Sequence, residues 1–196
     1  VSSEEVVLTS GSGEAILMLI KALTNPGDVV LTEENVYSGT LRQMKLFGSD
    51  VRSDPWDDNG FIPQALEDVI RKAESENKPI KYLYTIPCFQ NPLGWTMSLD
   101  RRKKIIEITR SHGIPILEDD CYVDLRFEGE DITSIHSLDD TGQVMYVGSF
   151  SKIVAPGMRL GYLVAPQEVR ERALSFKAGA ANQIAALAGQ EYLSIN

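Results

Sequence analysis

Five short segments carry side chains suited to ligand chemistry, and each follows an apolar run. Gly11-Ser12-Gly13 opens a helix, whose first-turn N–H groups and dipole favour an anion. It lacks the Gly-Lys-Ser/Thr ending of a P-loop. Tyr37 offers an aromatic face, Asn91 an amide and Asp119 a carboxylate with Tyr122 just beyond. Ser149, Ser151 and Lys152 offer two hydroxyls and an amine, with Arg159 a little further on. Each also has a plain structural use when taken singly. The glycine turn can simply join strand to helix, and Asn91-Pro92 is a turn signal. Tyr37 can be a packed surface tyrosine, Lys152 a surface lysine and Arg159 a salt-bridge partner. His112 and His136 show no partners in the sequence and read as structural or exposed. No metal site is expected.

The elements that must position these residues alternate between short β-rich runs and helical stretches. Strands are predicted at residues 6–9, 29–32, 50–53, 80–86, 114–117, 143–147 and 160–164. Helices are predicted at 12–23, 37–47, from Pro63, from an N-cap at Ser98 to about His112, and from about Gln167 onward. The helix at 12–23 is apolar nearly all round and so must be buried on most sides. Leu66, Val69, Ile70 and Ala73 form a single stripe. Several strands are apolar without polar interruption, which calls for helices on both faces of the sheet. The fold class is therefore α/β, three layers with a mostly parallel sheet. Between Val147 and Leu160 lie Gly148, Pro156 and Gly157 and no clear helix, so the strand at Leu160 is expected to run antiparallel. In such a sheet ligands bind beyond the carboxyl ends of the parallel strands. All five segments then share one rim.

Composition narrows the function. The chain has 196 residues, 43% hydrophobic and 24% charged, and a formal net charge of −9. Without a basic block, that acidity argues against a nucleic-acid or anionic-membrane surface. The apolar stretch at 15–20 is far below the ~20 residues of a membrane span. Cys88 and Cys121 cannot form a disulfide scaffold and suggest a reducing, cytoplasmic setting. The start at Val1 reads as that of a piece of a longer chain.

These residues resemble a family. Val147-Gly148-Ser149-Phe150-Ser151-Lys152, followed by Ala155-Pro156-Gly157-Met158-Arg159, is similar to the lysine segment of class I/II pyridoxal-phosphate aminotransferases of fold type I. Asn91-Pro92-Leu93-Gly94 and Glu118-Asp119-Asp120-Cys121-Tyr122 are similar to that family's asparagine and Asp-x-x-Tyr motifs, in the right order. The closest branch holds aromatic and 2-aminoadipate (kynurenine-type) aminotransferases, together with pyridoxal-binding transcription regulators.

The resemblance implies that residues 1–196 form the large, pyridoxal-phosphate-binding domain, with an N-terminal arm and a small C-terminal domain lying outside it. It implies that Lys152 forms a Schiff base with the cofactor and shuttles a proton, and that Asp119 pairs with the pyridine nitrogen. Tyr122 and Asn91 would bond the phenolic oxygen and Tyr37 would stack on the ring. Ser12, Gly13, Ser149, Ser151 and Arg159 would form the phosphate cup. The implied activity moves an amino group between an amino acid and a 2-oxo acid, usually in a homodimer. The arginine that clamps the substrate carboxylate is expected in the small domain. Gly13, Leu93 and Trp95 depart from the usual residues, and the last two bear on substrate preference. A regulator's effector domain, or a lyase or decarboxylase, would use the same cofactor residues.

Overall fold

The computed structural model describes residues 1–177. In chain order the elements are β1 (Val6–Thr9), α1 (Ser12–Leu23), β2 (Val29–Glu33), α2 (Ser38–Leu46), β3 (Asp50–Asp54), β4 (Trp56–Asp57), β5 (Gly60–Phe61), α3 (Pro63–Ser75) and β6 (Ile80–Thr85). They continue with α4 (Leu99–Ser111), β7 (Ile116–Asp119), α5 (Ile135–Leu138), β8 (Val144–Ser149), β9 (Gly161–Val164) and α6 (Gln167–Lys177). The helical sequence expected after Lys177 lies outside the described residues.

Seven strands form one sheet in the order β1-β9-β8-β7-β6-β2-β3. β2 pairs in parallel with β3 and β6, β6 with β7, and β7 with β8. β9 runs antiparallel to both β8 and β1, as the short Val147–Leu160 connection requires. β1 therefore points the same way as β8. The carboxyl ends of β1, β2, β6, β7 and β8 lie on one rim, where β9 begins.

Both faces of the sheet are covered, and the alternation along each strand shows it. Val30, Tyr82, Tyr84, Leu117 and Met145 pack in one cluster with Ile16, Leu19 and Ile20 of α1, Met44 of α2 and Ala173 of α6. Val29, Leu31, Leu83, Ile116 and Val144 pack in the other with Leu66 and Ile70 of α3 and Ile105 and Ile108 of α4. An uninterrupted apolar run is what a strand buried on both sides needs. α1 lies against β1, β8, β9, α2 and α6 at once, which accounts for its nearly all-round apolar surface.

Several boundaries and small elements differ from the sequence reading. Tyr37 has φ −49° and ψ 119° and precedes α2 as its N-cap residue. β7 begins at Ile116, after Pro115, which has no N–H for the ladder. Asp57-Asp58-Asn59-Gly60 turns the chain between the two-residue strands β4 and β5, which are too short to show a pattern. His136 sits in α5, a helix the sequence reading did not include, and meets the Tyr146 ring edge-on. His112 Nδ1 lies 2.7 Å from Glu74 Oε1.

Asp54, at the end of β3, has no exposure, and neither carboxylate oxygen has a hydrogen-bond partner among the described residues. Burial, helped by repulsion from Asp68, pushes its carboxyl from the ordinary 3.8 up to about 7. Between those values the folded chain holds a proton that the unfolded chain has lost. Stability from this group is therefore complete below pH 3.8 and falls as pH rises toward 7. Asp54→Asn is uncharged throughout. Its stability relative to the parent should rise by about 1 kcal/mol or more between pH 5 and pH 8, one pKa unit being worth ~1.4 kcal/mol. Thermal melts at the two pH values check this, and an unchanged difference would mean that Asp54 ionises freely in the folded chain.

Candidate active site

The rim segments enclose a cavity of about 320 Å3, within the size range of small-molecule sites. The ten residues that the resemblance assigns to the cofactor all line it. Ser12, Gly13, Ser149, Ser151 and Arg159 gather there, and Asn91, Asp119, Tyr122, Tyr37 and Lys152 also line it.

The donors for an anion come from two connections, the one after β1 and the one from β8 to β9. Gly11 ends the loop after β1 with φ 78° and ψ 165°, a conformation that glycine adopts readily. The N–H groups of Ser12 and Gly13, in the first turn of α1, have no intrahelical acceptor. Ser151 N–H donates to Ser149 Oγ at 3.3 Å, which folds the lysine loop on itself. Arg159, with φ 50°, points its guanidinium back toward Ser10 O at 3.5 Å. A Cβ on Gly11 would lie 2.7 Å from Arg159 Nη2, so the bare glycine makes room for the guanidinium.

Asp119 lies at the end of β7, 5% exposed. Its Oδ2 accepts from the Tyr84 hydroxyl at 2.7 Å and its Oδ1 from the Cys121 thiol at 2.8 Å. Burial raises its pKa, and the two donors pull it back. A carboxylate so desolvated favours a cation in the cavity. Asn91 Nδ2 donates to the Tyr122 hydroxyl at 2.8 Å, bringing together two groups that can both donate to one oxygen. Burial also raises the Tyr122 pKa, so the phenol keeps its proton. Tyr37 is 47% exposed, and its ring lies where a Cβ on Gly39 would be, 2.5 Å from Cε1.

The family model for class I and II aminotransferases matches residues 1–192. The chain belongs to this family. It is 38% identical over 172 residues to aromatic-amino-acid aminotransferase 1 of Thermococcus litoralis, covering 87% of this chain and 41% of that protein. It is 37% identical over 177 residues to an uncharacterized HTH-type transcriptional regulator, YisV, of Bacillus subtilis, covering 90% of this chain and 36% of that protein. Among solved structures it resembles a Pyrococcus horikoshii kynurenine aminotransferase in complex with PMP, with a TM-score of 0.88 and 34% identity, covering 96% of this chain and 48% of that one. The chain thus spans less than half the length of these relatives. Class I aminotransferases depend on pyridoxal phosphate. The donor set fits that molecule: amides, hydroxyls and a guanidinium for a phosphate, a buried carboxylate for a ring nitrogen, paired donors for a phenolic oxygen and an amine for an aldehyde.

Other residues at this aminotransferase-family site escaped sequence reasoning. Thr40 and Gln43 line the cavity from α2, and Gln43 Nε2 donates to Gly13 O at 3.4 Å. Their spacing from Tyr37, three residues and three again, marks one helix face and was a readable signal. Tyr84 and Cys121 gave none, because their role rests on a contact with Asp119. Trp95, expected to bear on substrate preference, does not line the cavity. It is buried and stacks on Trp56 with ring centroids 6.4 Å apart.

β9 must come close to the anion turn. A Cβ on Gly161 would lie 2.6 Å from both Gly11 C and Ser12 N, backbone atoms that cannot swing aside. Gly161→Ala should therefore destabilise the fold by roughly 1–3 kcal/mol, the usual cost of overpacking. Urea unfolding measures this, and a stability equal to the parent's would show that the turn can move away from β9 at no cost.

Proposed function

We propose that this chain is the cofactor-binding domain of a pyridoxal-phosphate-dependent aminotransferase, one that moves an amino group between an amino acid and a 2-oxo acid. One observation carries the reading: a lysine, a buried carboxylate, an Asn–Tyr donor pair and an anion cup built from two loops meet in a single cavity. When bound, the cofactor supplies an aldehyde that holds the amino group and a ring that draws electrons from the substrate Cα.

The chain's own residues do the rest. Lys152 Nζ attaches the cofactor and, once free, moves the proton taken from the substrate Cα. Asp119 holds the proton on the ring nitrogen, Tyr122 and Asn91 donate to the phenolic oxygen, and Tyr37 covers the ring face. Ser12, Gly13, Ser149, Ser151 and Arg159 hold the phosphate. The names of the T. litoralis and P. horikoshii relatives favour aromatic amino acids or kynurenine as donors. The likeness to YisV supports a second reading, in which the same cavity takes an effector and gives no turnover.

Borohydride reduction of the pyridoxal-phosphate-loaded protein, followed by peptide mapping, should place the label on Lys152. Label at another lysine with Lys152 free would end the assignment. Arg159→Ala should weaken cofactor binding by about 1.5–3 kcal/mol, the worth of a hydrogen bond to a charged group. Arg159→Lys should recover part of that, since the planar fork is lost. Equal affinities in parent and both variants would make Arg159 a structural residue. Amino transfer from an aromatic donor to 2-oxoglutarate by the whole protein separates enzyme from effector domain.

A further inference from the structure

Tyr84 is fully buried on β6, among the apolar side chains facing α1. A phenylalanine would fill that place without burying a hydroxyl, and a buried hydroxyl is costly unless bonded. Tyr82, two residues earlier in the same cluster, has no partner for its hydroxyl among the described residues. The Tyr84 hydroxyl, by contrast, donates to Asp119 Oδ2 at 2.7 Å. It has one proton, so the Thr40 hydroxyl, 3.3 Å away, serves as donor to the Tyr84 oxygen. Asp119 Oδ1 is taken separately by the Cys121 thiol at 2.8 Å. The resulting chain, Thr40–Tyr84–Asp119–Cys121, joins α2, β6 and the turn after β7. Thr40, Asp119 and Cys121 all line the cavity.

Two donors on two different oxygens fix the rotation of a carboxylate about its Cβ–Cγ bond. Both also favour its charged form, since each hydrogen bond is stronger to an anion than to a neutral acid. We infer that Tyr84 and Cys121 are positioning residues that lock the plane and the charge of the Asp119 carboxylate, so that the ring nitrogen meets an oriented, ionised acceptor. This rests on the proposed pairing of Asp119 with that nitrogen. Both residues act through Asp119.

The test uses the whole chain loaded with pyridoxal phosphate labelled with 15N in the ring, whose chemical shift reports whether that nitrogen carries a proton. The parent should show the protonated position. Tyr84→Phe should bind the cofactor roughly tenfold more weakly, the loss of one hydrogen bond to a charged group, and should shift the signal toward the unprotonated position. Cys121→Ala should move the signal the same way, and Cys121→Ser, which keeps a donor, should restore it. Thr40→Val, which leaves the Tyr84 ring in place, should give a smaller shift of the same sign and serves if Tyr84→Phe does not fold. A second arm needs no cofactor. Burial and the neighbouring Asp119 carboxylate hold the Cys121 thiol in its neutral form. Asp119→Asn should therefore speed iodoacetamide alkylation of Cys121 several-fold, with buried Cys88 as the internal reference. An unchanged rate overturns the thiol–carboxylate contact. Normal loading of the parent with ring-nitrogen signals that ignore the Tyr84, Thr40 and Cys121 changes overturns the inference alone. A parent that takes up no cofactor at Lys152, or binds it with an unprotonated ring, overturns the proposed function and this inference with it.

Discussion

Carboxylates held out of water at the carboxyl ends of the central strands are the constraint on which this structure turns. Glu33 ends β2, Glu118 and Asp119 end β7, and Asp120 follows directly. All four are buried. Burial pushes Glu33 and Glu118 up to about 7 and Asp120 up to about 6, and raises Asp119 as well. Donors lower the cost of burying such groups, and Glu33, Glu118 and Asp119 each draw part of the chain to themselves. Glu33 Oε1 takes the Thr85 hydroxyl at 2.6 Å and the Ile86 N–H at 3.0 Å, which fastens the loop after β6. Glu118 takes the N–H groups of Ile135 and His136 at 2.9 and 2.8 Å, which starts α5. Arg102, with no exposure, sits 4.0 Å from Glu118 and donates to the carbonyls of Met97, Thr133 and Pro87. Of the four, Asp119 is the one that lines the cavity.

The rim loops are tied to one another as well as to the sheet. Gln90 Nε2 donates to Asn35 O at 2.5 Å, and Gln90 Oε1 accepts from Leu93 N–H at 3.0 Å. One buried amide thus sets the loop carrying Tyr37 against the loop carrying Asn91. Asn91 in turn bonds Tyr122, from the loop after β7, and Gln43 of α2 bonds Gly13 of α1. Groups brought from separate loops are held in relative position before a ligand arrives, and positioning of this kind lowers the cost of ordering the site.

The features legible in the sequence came from local pattern. The all-round apolar helix at 12–23, the strands buried on both faces and the reversed strand after Leu160 each rest on a rule of periodicity or connection length, and each is present. The cavity residues were legible as types because they lie just past strand ends, and a parallel sheet gathers those ends on one rim. The features that escaped depend on partners distant in sequence. α5 is four residues long and owes its start to a glutamate on β7. Tyr84 reads as one more core aromatic until Asp119 is placed beside it. Trp95 takes its place from Trp56, on a strand of two residues.

The reversal of β9 does more than complete the sheet. Gly161, its first residue, stands opposite Thr9 of β1 and Ser149 of β8. A single loop from Ser149 to Gly161 can therefore leave the rim and return to it, with Lys152 near one end and Arg159 near the other. A parallel crossover would start the next strand at the opposite edge of the sheet and leave Arg159 there, a strand's length from the lysine. Because β9 sits between β8 and β1, the same return brings Arg159 against Gly11 and the first turn of α1. The anion cup thus draws on the first and the last of the sheet's strand connections within the described residues. What makes them neighbours is one antiparallel strand whose first residue is small enough to let a helix start beside it.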